Sequence, residues 1–287
     1  MKSVALAKAD QVRRTRPDYA AAQPPRPRPP LRQLTVQALN REGVDATRIR
    51  LAKLGRERAD GTWRPWAANL RERGAAIRRE TLRDLPGYLD QLTDSLRANG
   101  MYVYRVDTPT QACEVITGLA LARGVQLVTK VKSMATEEIR LNAHLAALGI
   151  DVVETDLGEY MAQLLDDRPA HIVGPVLHKS RQDAVKLFSD LAGEQLPDDP
   201  TQLAGIAREN LRADFKAADM GICGVNFAAA DTGTLVLVTN EGNADMVTSQ
   251  PDLLVAVMPV EKVIARLADV GVLVPLLSDT ANKEFLT

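Results

Sequence analysis

The sequence predicts an α/β protein built on a mixed, mostly parallel sheet flanked by helices. After residue 100, short apolar runs alternate with longer stretches in which apolar residues recur every three or four positions. This alternation is typical of parallel strands joined by right-handed helical crossovers. Two apolar runs, 224–230 and 234–239, are separated only by Asp231-Thr232-Gly233, which favours a tight turn and an antiparallel pair. Because 235–238 is apolar throughout, we expect it to be a central strand covered on both faces.

Composition places the chain among ordinary globular proteins. Of its 287 residues 45% are apolar and 25% are charged, and no apolar run approaches the ~20 residues of a membrane span. The first residues lack the apolar core and cleavage site of a secretory signal. The two cysteines, Cys113 and Cys223, are too few for a disulfide framework, so we expect buried thiols and a cytoplasmic location.

The chain is expected to have three parts. Residues 1–30 end in AAQPPRPRPP and predict a flexible, Pro-rich arm. Residues 31–100 show helical periodicity and predict a helical N-terminal extension, and residues 101–287 form the α/β domain. The first 100 residues carry 21 Lys/Arg against 11 Asp/Glu, whereas the rest carry 15 against 26. This asymmetry suggests a partner for the basic front. A solvated helical face is the simpler explanation, and nucleic acid is not favoured because few aromatic residues accompany the basic ones.

The elements follow from local signals. The leucine stripe at 81–98 predicts a helix ending at Asn99-Gly100, with Pro86 as a kink or as a boundary between two helices. Beyond the antiparallel pair, the expected strands are 101–106, 125–129, 150–154, 171–173, 253–258 and an extended piece at 272–276. The expected helices are 109–123, 136–148, 158–165, 181–192, 203–217 and 260–270.

Polar loops at the strand ends are the candidate site, because ligands of open α/β sheets lie beyond the carboxyl ends of the strands. Four loops qualify by this rule, 130–138, 154–160, 174–180 and 240–243, and all four are expected to meet at one edge. The ligand-binding candidates in these loops and in the turn at 231–234 are Lys130, Lys132, Ser133, Glu137, Asp156, His178, Lys179, Asp231, Thr232, Gly233, Thr234, Asn240, Gly242 and Asn243.

The expected roles differ among these loops. Lys130, Lys132 and Lys179 suit an anion such as a carboxylate or phosphate, while the backbone at 232–234 and 241–243 would cradle the ligand. Glu154 and Glu241 are the candidates for acid–base or cation chemistry. The alternative interpretations are that the lysines lie in an ordinary solvated loop with no ligand, and that Asp156 serves only as the N-cap of the following helix.

Several familiar sites are not indicated. His171 and His178 do not match a zinc-binding spacing, so no metal site is expected. The Asp-Thr-Gly tripeptide also occurs in aspartic proteases, but those enzymes need a second such aspartate in an all-β fold. The sequence contains no dinucleotide-binding, P-loop or serine-hydrolase motif.

Four motifs together resemble the LUD-domain family, which includes the lactate-utilisation proteins of the LutB and LutC types. They are KSMATEEI (132–139), ETDLGEY (154–160), HIVGPVLHKS (171–180) and ADTGTLVLVTNEGN (230–243). Their order and spacing also match, over roughly residues 60–280. The helical lead-in and the ETDLGEY block are more similar to the LutB type than to the LutC type.

The resemblance implies a fold similar to the NagB/RpiA/CoA-transferase group. It also implies a role in iron–sulfur-dependent oxidation of L-lactate to pyruvate, alongside other lactate-utilisation subunits. In the LutB type, cysteines spaced C-x₂-C-x₂-C-x₃-C follow this domain and hold [4Fe–4S] clusters. This chain stops at Thr287, where that segment would begin, so we expect clusters only in a following segment or a partner subunit and no cofactor on this chain.

The resemblance carries over no firm catalytic residue. In fold relatives of the CoA-transferase kind a carboxylate acts near this edge of the sheet, and Glu241 or Asp231 is similar by position. The ligand would be a small organic acid or a nucleotide-like molecule. A non-catalytic scaffold, or a CoA-ester or sugar-phosphate enzyme, remain the alternative hypotheses.

Overall fold

The structure is a computed structural model that describes residues 65–167, 174–239 and 241–281, together with the helical residues Arg48, Ile49 and Ala52. The Pro-rich arm, most of the expected helical region before residue 65, the expected strand at 171–173 and Asn240 lie outside the described residues. No described helix is long and apolar enough to cross a membrane.

Seven strands and ten α-helices can be assigned in the described part of the chain. The strands are β1 (Leu127–Lys130), β2 (Asp151–Glu154), β3 (Met220–Gly224), β4 (Phe227–Ala229), β5 (Thr234–Val236), β6 (Leu253–Val257) and β7 (Val263–Ile264). The helices are α1 (Pro65–Arg83), α2 (Leu85–Ala98), α3 (Pro109–Ala122), α4 (Met134–Glu138), α5 (Leu141–Ala146), α6 (Leu157–Leu164), α7 (Arg181–Ala192), α8 (Pro200–Ala217), α9 (Asn243–Ser249) and α10 (Val270–Ala281).

The larger sheet is wholly parallel and has the order β2-β1-β3-β6. Successive side chains of a strand point to opposite faces, and β1 follows this rule. Leu127 packs with Val153 against α6, α7 and α8 on one face. Val128 packs with Met220 and Ile222 against α3 and α5 on the other. The predicted α/β architecture, with a mostly parallel sheet between helices, is confirmed.

The smaller sheet has the order β5-β4-β7, with β4 antiparallel to β5 and parallel to β7. Its core is shared with the helices at both ends of the described chain. Ile77 of α1 and Leu273 of α10 pack on Phe227 and Ile264, and α2 covers the other side through Leu92 and its neighbours. The two N-terminal helices thus pack directly against this sheet.

Two close approaches hold α1 in place. A Cβ on Gly74 would come within 2.6 Å of the Leu276 side chain, so the glycine lets α10 lie tightly against α1. The Arg78 guanidinium lies 5.4 Å from the Phe227 ring centroid and donates to the Glu261 carbonyl at 2.7 Å. A cation over an aromatic face adds attraction to the apolar contact.

Local signals placed several helix boundaries correctly. α1 ends at Arg83 and α2 begins at Leu85, so Pro86 marks a boundary and sits in the first turn of α2, where its missing N–H costs nothing. Asn99 is the C-cap of α2, and Gly100 takes φ 84°. Thr108 caps α3 through the Gln111 N–H.

Three strand predictions are wrong or incomplete. Residues 235–238 are not a central strand, because β5 lies at the edge of the smaller sheet and its side chains are only half-buried. Residues 101–106 form no strand and belong to no sheet among the described residues. The piece at 272–276 is helical and lies within α10.

Two helix predictions are also wrong. Residues 260–270 contain two short 3₁₀ turns, Val260–Lys262 and Leu267–Asp269, with β7 between them. The helix expected at 136–148 is instead divided into α4 and α5. The break lies at Arg140, whose φ of 57° is left-handed and interrupts the helical hydrogen bonds.

Candidate functional site

The carboxyl ends of β1 and β2 open into a pocket of about 340 Å³. It is bounded by the loop after β1, the start of α6, the loop before α7 and the loop after β5, which is the expected edge of the sheet. The polar side chains that face it are Lys132, Asp156 and Glu241. Apolar lining comes chiefly from Leu157, Met161, Pro175, Val176 and Leu177.

Lys132 and Asp156 form an ion pair at the floor of this pocket. The Lys132 Nζ lies 3.0 Å from Asp156 Oδ2, and their side chains are 29% and 12% exposed. Asp156 is also the N-cap of α6, since its Oδ1 accepts from the N–H groups of Gly158 and Glu159. Asp156 therefore both caps α6 and pairs with Lys132, the lysine expected to bind an anion. The Lys132 side chain is still exposed enough to contact a ligand.

Glu241 reaches the same helix start from the loop after β5. Its Oε2 accepts from the Leu157 N–H at 3.2 Å, a position that favours negative charge because the helix dipole is positive there. Burial raises the pKa of Glu241 and the nearby charge of Asp156 raises it further, while the Leu157 N–H and Lys132 oppose the shift. Glu241 is therefore a carboxylate in a place that an anionic ligand could take, and one that accepts a proton more readily than an ordinary glutamate.

Lys130 lies beneath this pocket and is fully buried. Its Nζ contacts Glu154 Oε1 at 2.9 Å, Glu137 Oε1 at 3.1 Å and Thr136 Oγ1 at 3.2 Å. Burial alone would lower the pKa of Lys130, but the surrounding glutamates outweigh it and raise the pKa. All three ammonium protons thus have partners, so Lys130 organises the loop ends from below and its ammonium does not face the pocket.

Glu154 and Glu159 form a second buried feature beside Lys130. Both residues are at most 6% exposed, and each has one side-chain oxygen, Oε2, without a hydrogen-bond partner among the described residues. Burial first, and then the charge of Glu154, raise the pKa of Glu159 to about 9, although Lys130 pulls it down. Glu159 is consequently a neutral acid at ordinary pH, which lowers the repulsion that two buried carboxylates would otherwise have.

Ser133 and Asn243 hold the neighbouring loops together. Ser133 caps α4, and a Cβ on Gly224 at the end of β3 would come within 2.6 Å of the Ser133 hydroxyl. Asn243 donates to Thr155 Oγ1 at 3.2 Å, which ties the start of α9 to the loop after β2. Gly242 takes φ 70° just before that helix. Asn243 thus joins two of the predicted loops, and Ser133 lies against the end of β3.

His178 and Lys179 both contact a different acid, Asp167. His178 Nε2 and Lys179 Nζ each lie 2.7 Å from Asp167 Oδ2. The adjacent Leu177 lines the pocket, whereas His178 and Lys179 are not among its lining residues. The fourth predicted loop therefore reaches the pocket through apolar side chains, and the roles expected for His178 and Lys179 stay predictions.

The turn at Asp231–Gly233 faces α2 and the segment before α10. Asp231 Oδ1 accepts from the Leu267 N–H at 2.9 Å, and Asn99 Nδ2 donates to the Thr232 carbonyl at 2.9 Å. Thr232 and Thr234 hydrogen-bond to each other through their hydroxyls. The polar groups of this turn thus make contacts within the fold, and the cradling role expected for Asp231, Thr232, Gly233 and Thr234 stays a prediction.

A family model decides the affiliation of the chain. The model described as LUD domain matches residues 89–287. The chain belongs to the LUD-domain family. The resemblance drawn from the four motifs is thereby confirmed, and the match includes the whole of the larger sheet and the pocket.

Relatives of this LUD domain carry one name. It is 44% identical over 240 residues to "Lactate utilization protein B" of Oceanobacillus iheyensis, covering 84% of this chain and 49% of the relative. It is 44% identical over 228 residues to the protein of that name from Geobacillus thermodenitrificans, covering 79% and 47%. For the Bacillus cereus strain AH820 protein the identity is 40% over 249 residues, with 86% and 52% covered. The chain spans about half the length of these curated relatives. No solved structure matches it, so the similarity expected to the NagB/RpiA/CoA-transferase group stays a prediction.

The cysteines of the LUD domain do not fit the iron–sulfur cluster that the family resemblance implies. A [4Fe–4S] cluster needs four thiolate ligands, and the chain has two cysteines. Both are buried, as expected. Burial raises the pKa of the Cys113 thiol and raises that of Cys223 to about 11, so neither is poised to act as a thiolate.

Some site residues had no signal in the sequence. Asn142 Nδ2 donates to Glu154 Oε1 at 2.6 Å, and Gln163 Oε1 accepts from the Glu154 N–H at 3.1 Å. Both lie in helices near an end, Asn142 at the start of α5 and Gln163 at the end of α6, and an amide side chain at such a position is ordinarily a surface residue. The apolar pocket wall was missed as well: Met161 lies just outside the ETDLGEY motif, and 175–177 lie within HIVGPVLHKS, of which only His178 and Lys179 were expected to bind a ligand.

Proposed function

We propose that this chain supplies a binding site for a small carboxylate to a lactate-utilisation system that oxidises L-lactate to pyruvate. The names of the relatives support the system, and the pocket around Lys132 supports the ligand class. A pocket of about 340 Å³ is large enough for a three-carbon hydroxy acid. A cytoplasmic location and other lactate-utilisation subunits as partners belong to the same proposal.

The charge arrangement suits a ligand that exchanges with Glu241. A carboxylate entering the pocket would bind Lys132 and the Leu157 N–H that Glu241 now occupies. Glu241 would then leave the helix start or take up a proton, which its raised pKa favours. The apolar wall would contact the methyl end of the ligand, in the way that small-molecule pockets combine apolar lining with a few polar groups.

The oxidation step is assigned elsewhere. Conversion of a 2-hydroxy acid to a 2-oxo acid releases two electrons and two protons, and the cysteines of this chain cannot hold a cluster to accept the electrons. We therefore assign ligand binding to this domain, with Glu241 taking up one proton from solvent as the carboxylate enters the pocket. The two electrons and two protons released by the oxidation are assigned to another part of the system. Iron–sulfur clusters would be held by another segment or subunit of the system.

Calorimetric titration of the chain with L-lactate and with pyruvate tests the proposal. Lys132→Met should weaken carboxylate binding by roughly 10- to 100-fold, since a hydrogen bond to a charged group contributes about 1.5–3 kcal/mol. Lys186→Met, which removes an exposed lysine of α7, is the matched control and should leave the affinity unchanged. Binding should also strengthen as the pH falls toward the pKa of Glu241.

Two results of this titration would contradict the proposal. If the chain binds neither acid, or if Lys132→Met and Lys186→Met bind alike, the pocket is not a carboxylate site. Retention of cluster-bearing subunits by such a chain would then favour the scaffold hypothesis.

A further inference from the structure

A second concave surface lies at the C-terminal end of α2. Residues 101–106 follow that end, and no backbone hydrogen bond joins 102–106 to a described strand. Together with the end of α2 they form a groove of about 490 Å³, hereafter the tyrosine groove. It is lined by Arg97, Gly100, Met101, Tyr102, Val103 and Tyr104.

The two tyrosines are unusually accessible. Tyr102 is 89% exposed and Tyr104 is 54% exposed, while Val103 between them packs toward the core beneath. Both tyrosines line the groove. Exposed tyrosine rings with free hydroxyl donors are the surfaces on which Pro-rich segments dock.

We propose that the tyrosine groove binds residues 24–30 of the same chain, PPRPRPP. Proline at this density favours the polyproline II conformation before binding, so little conformational entropy is lost on docking. Such a segment has few N–H groups and many carbonyls, which makes it unsuited to pairing as a strand and suited to tyrosine hydroxyl donors. The proline rings would lie against Tyr102 and Tyr104.

Charge adds to the fit. The segment carries Arg26 and Arg28, and acids lie on the elements next to the groove, although none lines it. Asp90 of α2 is paired with Arg105, and the exposed Asp94 and Asp107 are the other carboxylates on these elements. Arg97 opposes this attraction in part. Guanidinium groups also stack on tyrosine rings, which offsets some of that repulsion.

The connection permits docking within one chain. The 34 residues from 31 to 64 separate the segment from α1, and an extended chain of that length reaches up to roughly 110 Å. Tethering of this kind gives an effective concentration on the order of 1 mM, so even a weak intrinsic affinity would keep the groove occupied.

Fluorine NMR of the full chain tests this arrangement. All five tyrosines are replaced with 3-fluorotyrosine, and a nitroxide is attached through Ala22→Cys, because Cys113 and Cys223 are buried and unreactive by comparison. The signals of Tyr102 and Tyr104 should broaden relative to that of Tyr160, which is fully buried. Free peptide of sequence 21–30 at ten times the effective concentration should restore most of the lost signal.

A matched variant separates docking from mere proximity. Replacing the five prolines of 24–30 with alanine keeps Arg26 and Arg28, and it should abolish the selective broadening while leaving the Tyr160 signal unchanged. Equal broadening with and without the prolines would overturn the proposal. Broadening found only when spin-labelled and fluorinated chains are mixed would also overturn it, since the arm would then bind a second copy.

Discussion

The buried acid Glu159 makes a quantitative prediction about stability and pH. Its pKa is raised from the ordinary 4.5 to about 9 in the folded chain, first by burial and then by the charge of Glu154. Between these two values the unfolded chain has lost a proton that the folded chain keeps. Since stability falls with pH wherever the unfolded state binds fewer protons, Glu159 destabilises the fold increasingly as the pH rises from 4.5 to 9.

The magnitude follows from the size of the shift. One proton contributes about 1.4 kcal/mol per pH unit, so Glu159 alone lowers the free energy of unfolding by up to roughly 4 kcal/mol between pH 5 and pH 8. Glu159→Gln has nearly the same shape as the protonated acid and cannot ionise. The variant should therefore be the more stable protein at pH 8, with the difference shrinking toward pH 5.

Urea unfolding at several pH values measures this difference directly. Glu209→Gln removes an exposed carboxylate of α8 and serves as the control for a change of one charge. If the free energies of wild type and Glu159→Gln run parallel from pH 5 to pH 8, Glu159 does not hold a proton in the folded chain. The description of the cluster around Lys130 would then have to be revised.

Three further substitutions and one control test other parts of the structure. Lys130→Met should lower the free energy of unfolding by about 3–5 kcal/mol, because it leaves buried carboxylates unpaired; urea unfolding with a loss below 1 kcal/mol would contradict this. Asp156→Asn keeps the helix cap but frees Lys132, so carboxylate affinity measured by calorimetry should rise roughly threefold to tenfold, and a fall would argue against Lys132 as the ligand's partner. Gly221→Ala places a Cβ 2.2 Å from a backbone carbonyl of α9 and should cost about 2 kcal/mol or more in thermal unfolding, whereas Gly118→Ala, in open space on α3, should stabilise by up to about 1 kcal/mol.

The parts of the fold that were predicted correctly are those determined by residues close together in the sequence. Pro86 fixed a helix boundary because proline lacks an N–H, and Asp231-Thr232-Gly233 fixed a hairpin because Gly233 takes φ 66°. The helix and strand at 109–130, the strand and helix at 151–164 and the helices at 181–192 and 200–217 followed from apolar periodicity. In each case the residues that determine the structure lie within a few positions of one another.

The errors occurred where distant contacts override local preference. The apolar residues at 260, 263, 264 and 267 have helical spacing, yet pairing of β7 with β4 draws 263–264 into a strand. The run VGVLVPLL at 270–277 is rich in β-branched residues and contains Pro275, but its packing on α1 makes it helical. Short apolar runs of this kind do not distinguish strand from helix by periodicity alone.

The candidate site shows the same division. Lys132 and Asp156 line one pocket because β1 and β2 are parallel neighbours whose carboxyl ends meet, whereas Glu241 reaches that pocket from β5 of the smaller sheet. The rule that strand ends meet at one edge could not show that Lys130 is turned inward, because that depends on Glu154, a residue 24 positions away. Nor could it separate His178 from the others, since the pairing with Asp167 has no signature in either loop.

The packing of α1 on α10 determines where an expressed fragment of this protein should begin. The family match begins at residue 89, inside α2, whereas Ile77 and Gly74 lie against the C-terminal helix and the small sheet. A fragment that begins at residue 89 would lack α1, so the apolar surface of α10 and the small sheet would be exposed to solvent and would promote aggregation. The first residue to keep in an expressed fragment is Pro65 or earlier.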